Sequence, residues 1–389
     1  MKALMDVRRE NAFDAPEFAA RREKTRALMA KRGIDTLVLH SAPNIYYLCG
    51  HHTLNLWDYQ CLVLPMAGQP FMLLWHFEEG RFAATAVDTG LEMFGSGDEP
   101  IAETRDVLEK YGLRKGTIGL EKECTFLSPG QCERLSAALE PARVVDGSGV
   151  VEQVRMVKSD AELELIRRSA RGTDSAMRAG YSEIREGVRD TEIAAAVVAD
   201  LVRSDIQGFA IYPMVAVGTR SGVPHHSHDG LHVARGDIVF LEFAAAIHWY
   251  HAPLMRAAAL GDVPAFVETV ADTGSAALQA MCETVRAGIP ASDVAAAGKA
   301  EVDRIRDRIH FHDFFAYSVG IGFPPTWLEG GFGIVMDNHR PLEAGMVFHF
   351  PMTLRVKGEF GVGQSQTVIV HDDGAEVLSE LPLGLHRVG

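Results

Sequence analysis

At 389 residues, 47% hydrophobic and 23% charged, the chain can bury two cores and has the composition of an ordinary globular protein. A net charge of −14 excludes nucleic acid or an anionic membrane as the main partner, and no apolar run has the length of a membrane span. The opening MKALMDVRRENAFD lacks a signal-peptide core. Five cysteines (Cys49, Cys61, Cys124, Cys132 and Cys282) show no paired metal-ligand spacing and read as reduced thiols of a cytoplasmic protein.

The spacing of Phe18, Ala19, Leu28 and Met29 among charged neighbours predicts an amphipathic helix over 15–32. A strand follows at Asp35–His40, then a turn at Ser41-Ala42-Pro43-Asn44. Strands at Cys61–Pro65, Phe71–His76 and Thr117–Glu121 alternate with helices near 100–111 and 128–139, which indicates an α/β domain over residues 1–154. Ser159 with Glu162 three residues on is a capping signal, and it opens a charged helix and a second domain, 155–389. Helices are expected at 189–204, 263–287 and 291–308, and strands at 211–218, 237–247, 250–260, 346–356 and 366–371. Adjacent strand pairs with helices in separate blocks give an α+β class with a curved, mainly antiparallel sheet.

Three stretches carry chemistry. In Ile238–Ala246, an apolar strand after an Arg-Gly-Asp turn, Glu242 shares a face with Phe240 and Ala244 by the two-residue period of a strand. A carboxylate there must be paired, protonated, metal-bound or reactive; Arg256 on the returning strand is one possible partner. Gly222–Gly230 holds His225, His226 and His228. This is a metal site, a single acid/base histidine or a solvated turn, and the spacing lacks the companion ligands a metal needs. Tyr317–Glu329, with glycines, Pro324-Pro325, Trp327 and Glu329, reads as a loop against a ligand or on the surface. His349 sits within a further apolar strand.

These segments together resemble the creatinase/methionine-aminopeptidase, or pita-bread, family. RMVKSDAELELIRRSA, GDIVFLEF…WYHAPLMR, LEAGMVFHF and TVIVHDDGAEVLS carry the resemblance, which spans nearly the whole chain and includes a creatinase/prolidase-like N-terminal domain. Metallopeptidases of the family hold two metals with an Asp, Asp, His, Glu, Glu set. Those positions fall here at Glu242, Pro253, Val319, Pro351 and Ser365, so the resemblance implies a site without metal or cofactor.

Two metal-free branches remain, creatinase and ectoine hydrolase. The second is the nearer, on Tyr212-Pro213, Pro224-His225, Phe240–Phe243, Tyr250–Pro253, Pro324–Trp327 with Glu329, and Phe348–Phe350. That resemblance implies Glu242 as a nucleophile toward a cyclic amidine, or as the group that holds its cation, with His225 as acid/base. Trp327 and Glu329 would contact the cationic ring, while Tyr212, His251 and His349 would line the pocket. Asp58 stands where creatinase uses an arginine, which disfavours creatine as substrate. In this family the Trp57-Asp58 loop reaches the partner's active site in a homodimer; alternatively it packs locally. A lyase of the same fold and a metal-free binding module are the rival readings.

Overall fold

The structure is a computed structural model describing residues 10–389; the first nine residues of the segment read above for a leader lie outside them. The chain divides into two compact units, Met1–Arg155 and Met156–Gly389.

The first unit contains α1 (Ala15–Arg32), β1 (Thr36–Leu39), α2 (Ala42–Cys49), β2 (Cys61–Pro65), β3 (Phe71–Trp75), α3 (Glu79–Thr85), β4 (Gly90–Phe94), α4 (Pro100–Lys110), β5 (Thr117–Leu120), α5 (Pro129–Ala138), β6 (Arg143–Asp146) and α6 (Val150–Arg155). Its six strands form one mixed sheet in the order β4-β3-β2-β1-β5-β6. The expected turn at 41–44 is instead the start of α2. Ser41 is the N-cap residue in extended backbone and Pro43 falls in the first turn, where its fixed φ and missing N–H suit a helix start.

The second unit contains α7 (Asp160–Glu183), α8 (Asp190–Arg203), β7 (Met214–Val217), β8 (Ile238–Ile247), β9 (Tyr250–Leu260), α9 (Ala265–Thr284), α10 (Ala291–Val302), β10 (Ala316–Phe323), β11 (Thr326–Ile334), β12 (Val347–Val356), β13 (Phe360–Val370), β14 (Ala375–Val377) and β15 (His386–Val388). The capping box at Ser159 and Glu162 is formed. The sheet runs β14-β13-β12-β10-β9-β8-β7, with β11 on β10 and β15 on β9, and the pairings are antiparallel apart from β15 on β9. The Tyr317–Glu329 stretch, expected as a loop, forms most of the β10–β11 hairpin. The glycines that suggested a loop are there because strands approach closely: a side chain on Gly322 would strike the Trp327 backbone. β13 begins six residues earlier than expected, at Phe360, because Gly361 and Gly363 hide the strand period.

Alternation decides which way each strand faces. Val239, Leu241, Phe243 and Ala245 pack with Ile193, Val197 and Leu201 of α8 and with Ala176 and Met177 of α7. Phe348, Phe350, Met352 and Leu354 pack with α9 and α10 through Val270, Leu278, Met281 and Val294. Burying each such side chain is worth about 1.5–3 kcal/mol. The odd residues of β8 and the even residues of β12 are therefore committed to the helix side. Their neighbours, Phe240, Glu242 and Ala244 on β8 and His349, Pro351, Thr353 and Arg355 on β12, are left on the other face.

The β8–β9 connection is two residues, His248 and Trp249, at φ 50° and 64°. Positive φ at both central positions is the geometry whose twist matches the strands it joins. It is costly for residues with a Cβ, and the Gln207 side chain, which accepts from the His248 N–H, helps to hold it. The turn sets the register that pairs Glu242 with Met255 and Ala244 with Pro253.

Candidate active site

The site is the inner face that the sheet's curl brings together. β13 closes over the β8–β9 hairpin: the Ser365 hydroxyl accepts from the Met255 N–H at 2.6 Å, and Thr367 donates to the Pro253 carbonyl at 2.8 Å. Gly363 is required here, since any side chain on it would collide with the Phe240 ring.

Glu242 lies in this face, 7% exposed. Burial pushes its carboxyl up to about 7, with the Arg355 charge acting weakly in the other direction. Arg256 is not its partner, contrary to one expectation. It stands opposite Leu241, one residue out of step with Met255, so it leaves the hairpin on the helix side. There its guanidinium donates to the carbonyls of Met255, Ser365 and Leu381.

Tyr317, His349 and Trp327 form one hydrogen-bonded unit. Trp327 Nε1 donates to the Tyr317 oxygen at 3.0 Å, and that hydroxyl meets His349 Nδ1 at 2.7 Å. The indole can only donate, so the Tyr317 oxygen accepts from Trp327 and shares a hydrogen bond with His349 whose direction follows the His349 tautomer. Burial pushes His349 down to about 3 and His251 down to about 4, so both rings are neutral at physiological pH. Tyr317 is raised, by burial first and then by the Glu242 charge.

His251 Nδ1 bonds the Trp249 carbonyl at 2.9 Å. The His349 Nε2 is buried without a hydrogen-bond partner, whereas the His251 ring has the Gly320 backbone within reach as well as the Trp249 carbonyl. A buried polar atom left unpaired costs about 1–3 kcal/mol, so the His349 Nε2 on this face is matched to a ligand that supplies the missing partner.

Other expected residues stand elsewhere. Glu329 is not available to a cation: its carboxylate forms a buried ion pair with Lys158. The lysine, at the start of the unit, also donates to the Met156 carbonyl at 3.2 Å. Tyr212 is 53% exposed and packs on Phe209 and His228. His225 is exposed in the left-handed region, φ 53°, and among the described residues it makes no hydrogen bond to Glu242. In the first unit, Trp57 is 82% exposed and Asp58 accepts from the Asn55 amide at 2.6 Å.

The metal positions can be judged on this geometry. Pro253 shares the Glu242 face, and Pro351 and Ser365 are directly opposed across the β12–β13 ladder. Proline and valine offer no side-chain donor, and the Ser365 hydroxyl is engaged by Met255. One carboxylate cannot hold a pair of divalent cations, so these residues do not fit the dinuclear group. Among the described residues no cluster of three His, Cys, Asp or Glu side chains is placed to hold a metal.

Two side chains of the site, Tyr317 and Arg355, were not singled out from the sequence. The alternation that groups Phe240 with Glu242 also groups His349 with Pro351, Thr353 and Arg355, so the signal for Arg355 was present.

The comparisons with known proteins agree with this architecture. Residues 164–372 match the metallopeptidase family M24 model, and residues 21–157 match the creatinase/prolidase N-terminal domain. The chain therefore belongs to metallopeptidase family M24, with a creatinase-type N-terminal domain. It is 26% identical to ectoine hydrolase of Halomonas elongata, over 95% of this chain and 97% of that one. Its identity to creatinase of Bacillus sp. (strain B-0618) is also 26%, over 96% and 92%. Among solved structures, dipeptidase PepE of Mycobacterium ulcerans superimposes with a TM-score of 0.83 at 23% identity, covering 97% of this chain and 99% of that one.

Proposed function

We propose that the protein is a hydrolase that opens a C–N bond in a small cationic or zwitterionic solute without a metal, with the cyclic amidine ectoine as the leading substrate. The observation that carries this reading is Glu242: a buried carboxylate at about 7 whose four companion metal positions are Pro253, Val319, Pro351 and Ser365. A protonated amidine relieves the cost of that buried charge and presents an electrophilic carbon to it. The similarity to ectoine hydrolase over nearly the full length of both chains supports the substrate class.

In the reaction, a Glu242 oxygen adds to the amidine carbon. The C–N bond to the ring nitrogen then breaks, with a proton passing to that nitrogen from His225. Water adds to the resulting acyl-type adduct, releasing the opened amide and restoring the carboxylate. In a second version Glu242 only holds the cation while His225 activates water. His225 has to move inward from its exposed position in either case, and its single-residue excursion into left-handed backbone marks the point where the loop can turn. The neutral ring of His349, with its unpartnered Nε2 on this face, supplies a hydrogen bond to the amidine or to the developing oxygen.

A panel of amidines, guanidines and lactams read by mass spectrometry tests the function. Ectoine gains one water, and the rate is unchanged after exhaustive chelation. No turnover of any member would leave a binding module, elimination without water uptake would make the protein a lyase, and loss on chelation with recovery on Mn²⁺ would overturn metal independence. We also propose a homodimer in which Trp57 and Asp58 reach the partner's site. The exposed Trp57 indole supports this, and a monomer mass by light scattering would refute it.

A further inference from the structure

We propose that Arg355 forms an anion subsite on the same face as Glu242, so that the substrate is held as a zwitterion, with its cationic carbon at the carboxylate and its acidic group at the guanidinium. The inference rests on the reading of this face as the active site and adds to it the orientation of the substrate.

Four observations place the subsite. First, Arg355 follows Thr353 by two residues on β12 and lies on the inner face with it. Thr353 Oγ1 is 3.2 Å from the sulfur of Met255, the residue paired with Glu242 across β8–β9. The guanidinium thus springs from a point about 7 Å along the strand from the residue touching Met255.

Second, its backbone is clamped on both sides. His310 and Arg355 exchange hydrogen bonds of 2.7 and 3.1 Å, and Gly361 lies opposite on β13. Gly361 donates to the Ser221 hydroxyl at 3.0 Å and has no room for a side chain against the Ser221 backbone. The segment leading to His225 is therefore seated directly beside Arg355.

Third, among the described residues no acceptor reaches the guanidinium, and its Nε is buried without a partner. Arg355 is half-buried, whereas the fully buried Arg256 shares the unpartnered Nε but satisfies its other nitrogens with three carbonyls. Fourth, the carboxylate whose charge acts on Arg355 is Glu242. The groups within the field of Arg355 are Glu242, too far for an ion pair, and His312; His310, His225 and Asp313 also act on His312. His312 is lowered by crowding from the protein around it and then by the Arg355 charge, although its side chain remains exposed at the rim. A planar fork with unused donors, next to a rim of histidines, is the arrangement that receives a carboxylate through two parallel hydrogen bonds.

Binding to the Glu242→Gln protein, which keeps the ligand intact, tests the proposal by calorimetry with two probes. These are ectoine and its analogue without the carboxylate, 2-methyl-tetrahydropyrimidine. Adding Arg355→Met weakens ectoine on the order of 10- to 100-fold, the range for one lost charge-assisted pair, and leaves the analogue within about twofold. Arg355→Lys recovers only part of the loss. Equal weakening of both probes, or of neither, would overturn the subsite.

A second arm does not depend on ectoine. Acetate titrated into histidine-labelled protein moves the His312 ring resonances in the wild type and not in Arg355→Met. If neither cyclic probe binds but acetate does so through Arg355, the substrate assignment fails and the anion subsite stands. No acetate response in the wild type would refute the subsite itself.

Discussion

Glu242→Gln abolishes turnover, by on the order of 10⁴-fold or more if the carboxylate is the nucleophile, and it makes the protein more stable at alkaline pH. The stability effect follows from the proton affinity of the buried carboxyl. The carboxyl rises from 4.5 to about 7 on burial, so the folded chain holds the proton more tightly than the unfolded chain. The stabilisation from protonated Glu242 is complete below about pH 4.5 and is lost as pH rises through about 7; above that the ionised form is a penalty on the fold. Glutamine is neutral throughout. The variant therefore exceeds the wild type by up to about 3 kcal/mol at pH 8, and the two converge near pH 5 in denaturant melts.

Activity has the opposite pH dependence. Attack requires the ionised form, so the wild-type rate climbs with pH through about 7, and a cationic substrate, by favouring ionisation, shifts that rise to lower pH. Intact-mass measurement during turnover separates the two roles of Glu242. An adduct of substrate mass present in the wild type and absent in Glu242→Gln marks the nucleophile; its absence from the wild type under trapping conditions leaves the electrostatic role. A variant that turned over at the wild-type rate and melted like the wild type at pH 8 would remove Glu242 from both accounts.

The second large effect is at Lys158 and Glu329, a buried pair whose side chains are 1% and 2% exposed. Breaking it leaves an uncompensated charge in the interior. Lys158→Met and Glu329→Gln each cost about 3–5 kcal/mol, and in a domain already carrying this many buried polar groups that is enough to lower soluble yield. Removing both charges together, in Lys158→Met with Glu329→Leu, returns most of the loss. A double-mutant cycle in urea measures the coupling. If Glu329 instead contacts a substrate cation, Glu329→Gln weakens substrate binding while leaving stability within about 1 kcal/mol, and the ion-pair account is wrong.

The strands and helices that alternation and capping mark clearly were legible in the chain. Ser159 with Glu162, the helix at 15–32 and the 237–260 hairpin each combine a period with a boundary signal, so local physics and the fold agree. Where the two part, glycine or proline is the reason. Ser41-Ala-Pro-Asn reads equally as a turn and as a capped helix start, and only the residues packed against α2 choose. The 317–334 hairpin and the first half of β13 contain glycines that remove the apolar marker from the strand period. Those glycines are needed by neighbours far away in the chain: Phe240 at Gly363, Ser221 at Gly361, the Trp327 backbone at Gly322.

The sequence by itself determined that Glu242 would be a lone carboxylate on an apolar strand, because residue type and a period of two are local facts. It also determined that proline, valine and serine stand at the companion positions, which no fold can convert into carboxylate ligands. Only the tertiary structure decided who answers that carboxylate. Arg256, fourteen residues away in sequence, is turned to the opposite face by a one-residue difference in register, whereas Arg355, more than a hundred residues on, is carried into its field by the curl of the sheet. Glu329, which the family resemblance assigned to the cation, is paired with Lys158 in the fold. Charges act through distance in space, and in a sheet that closes on itself that distance is set by register and curvature.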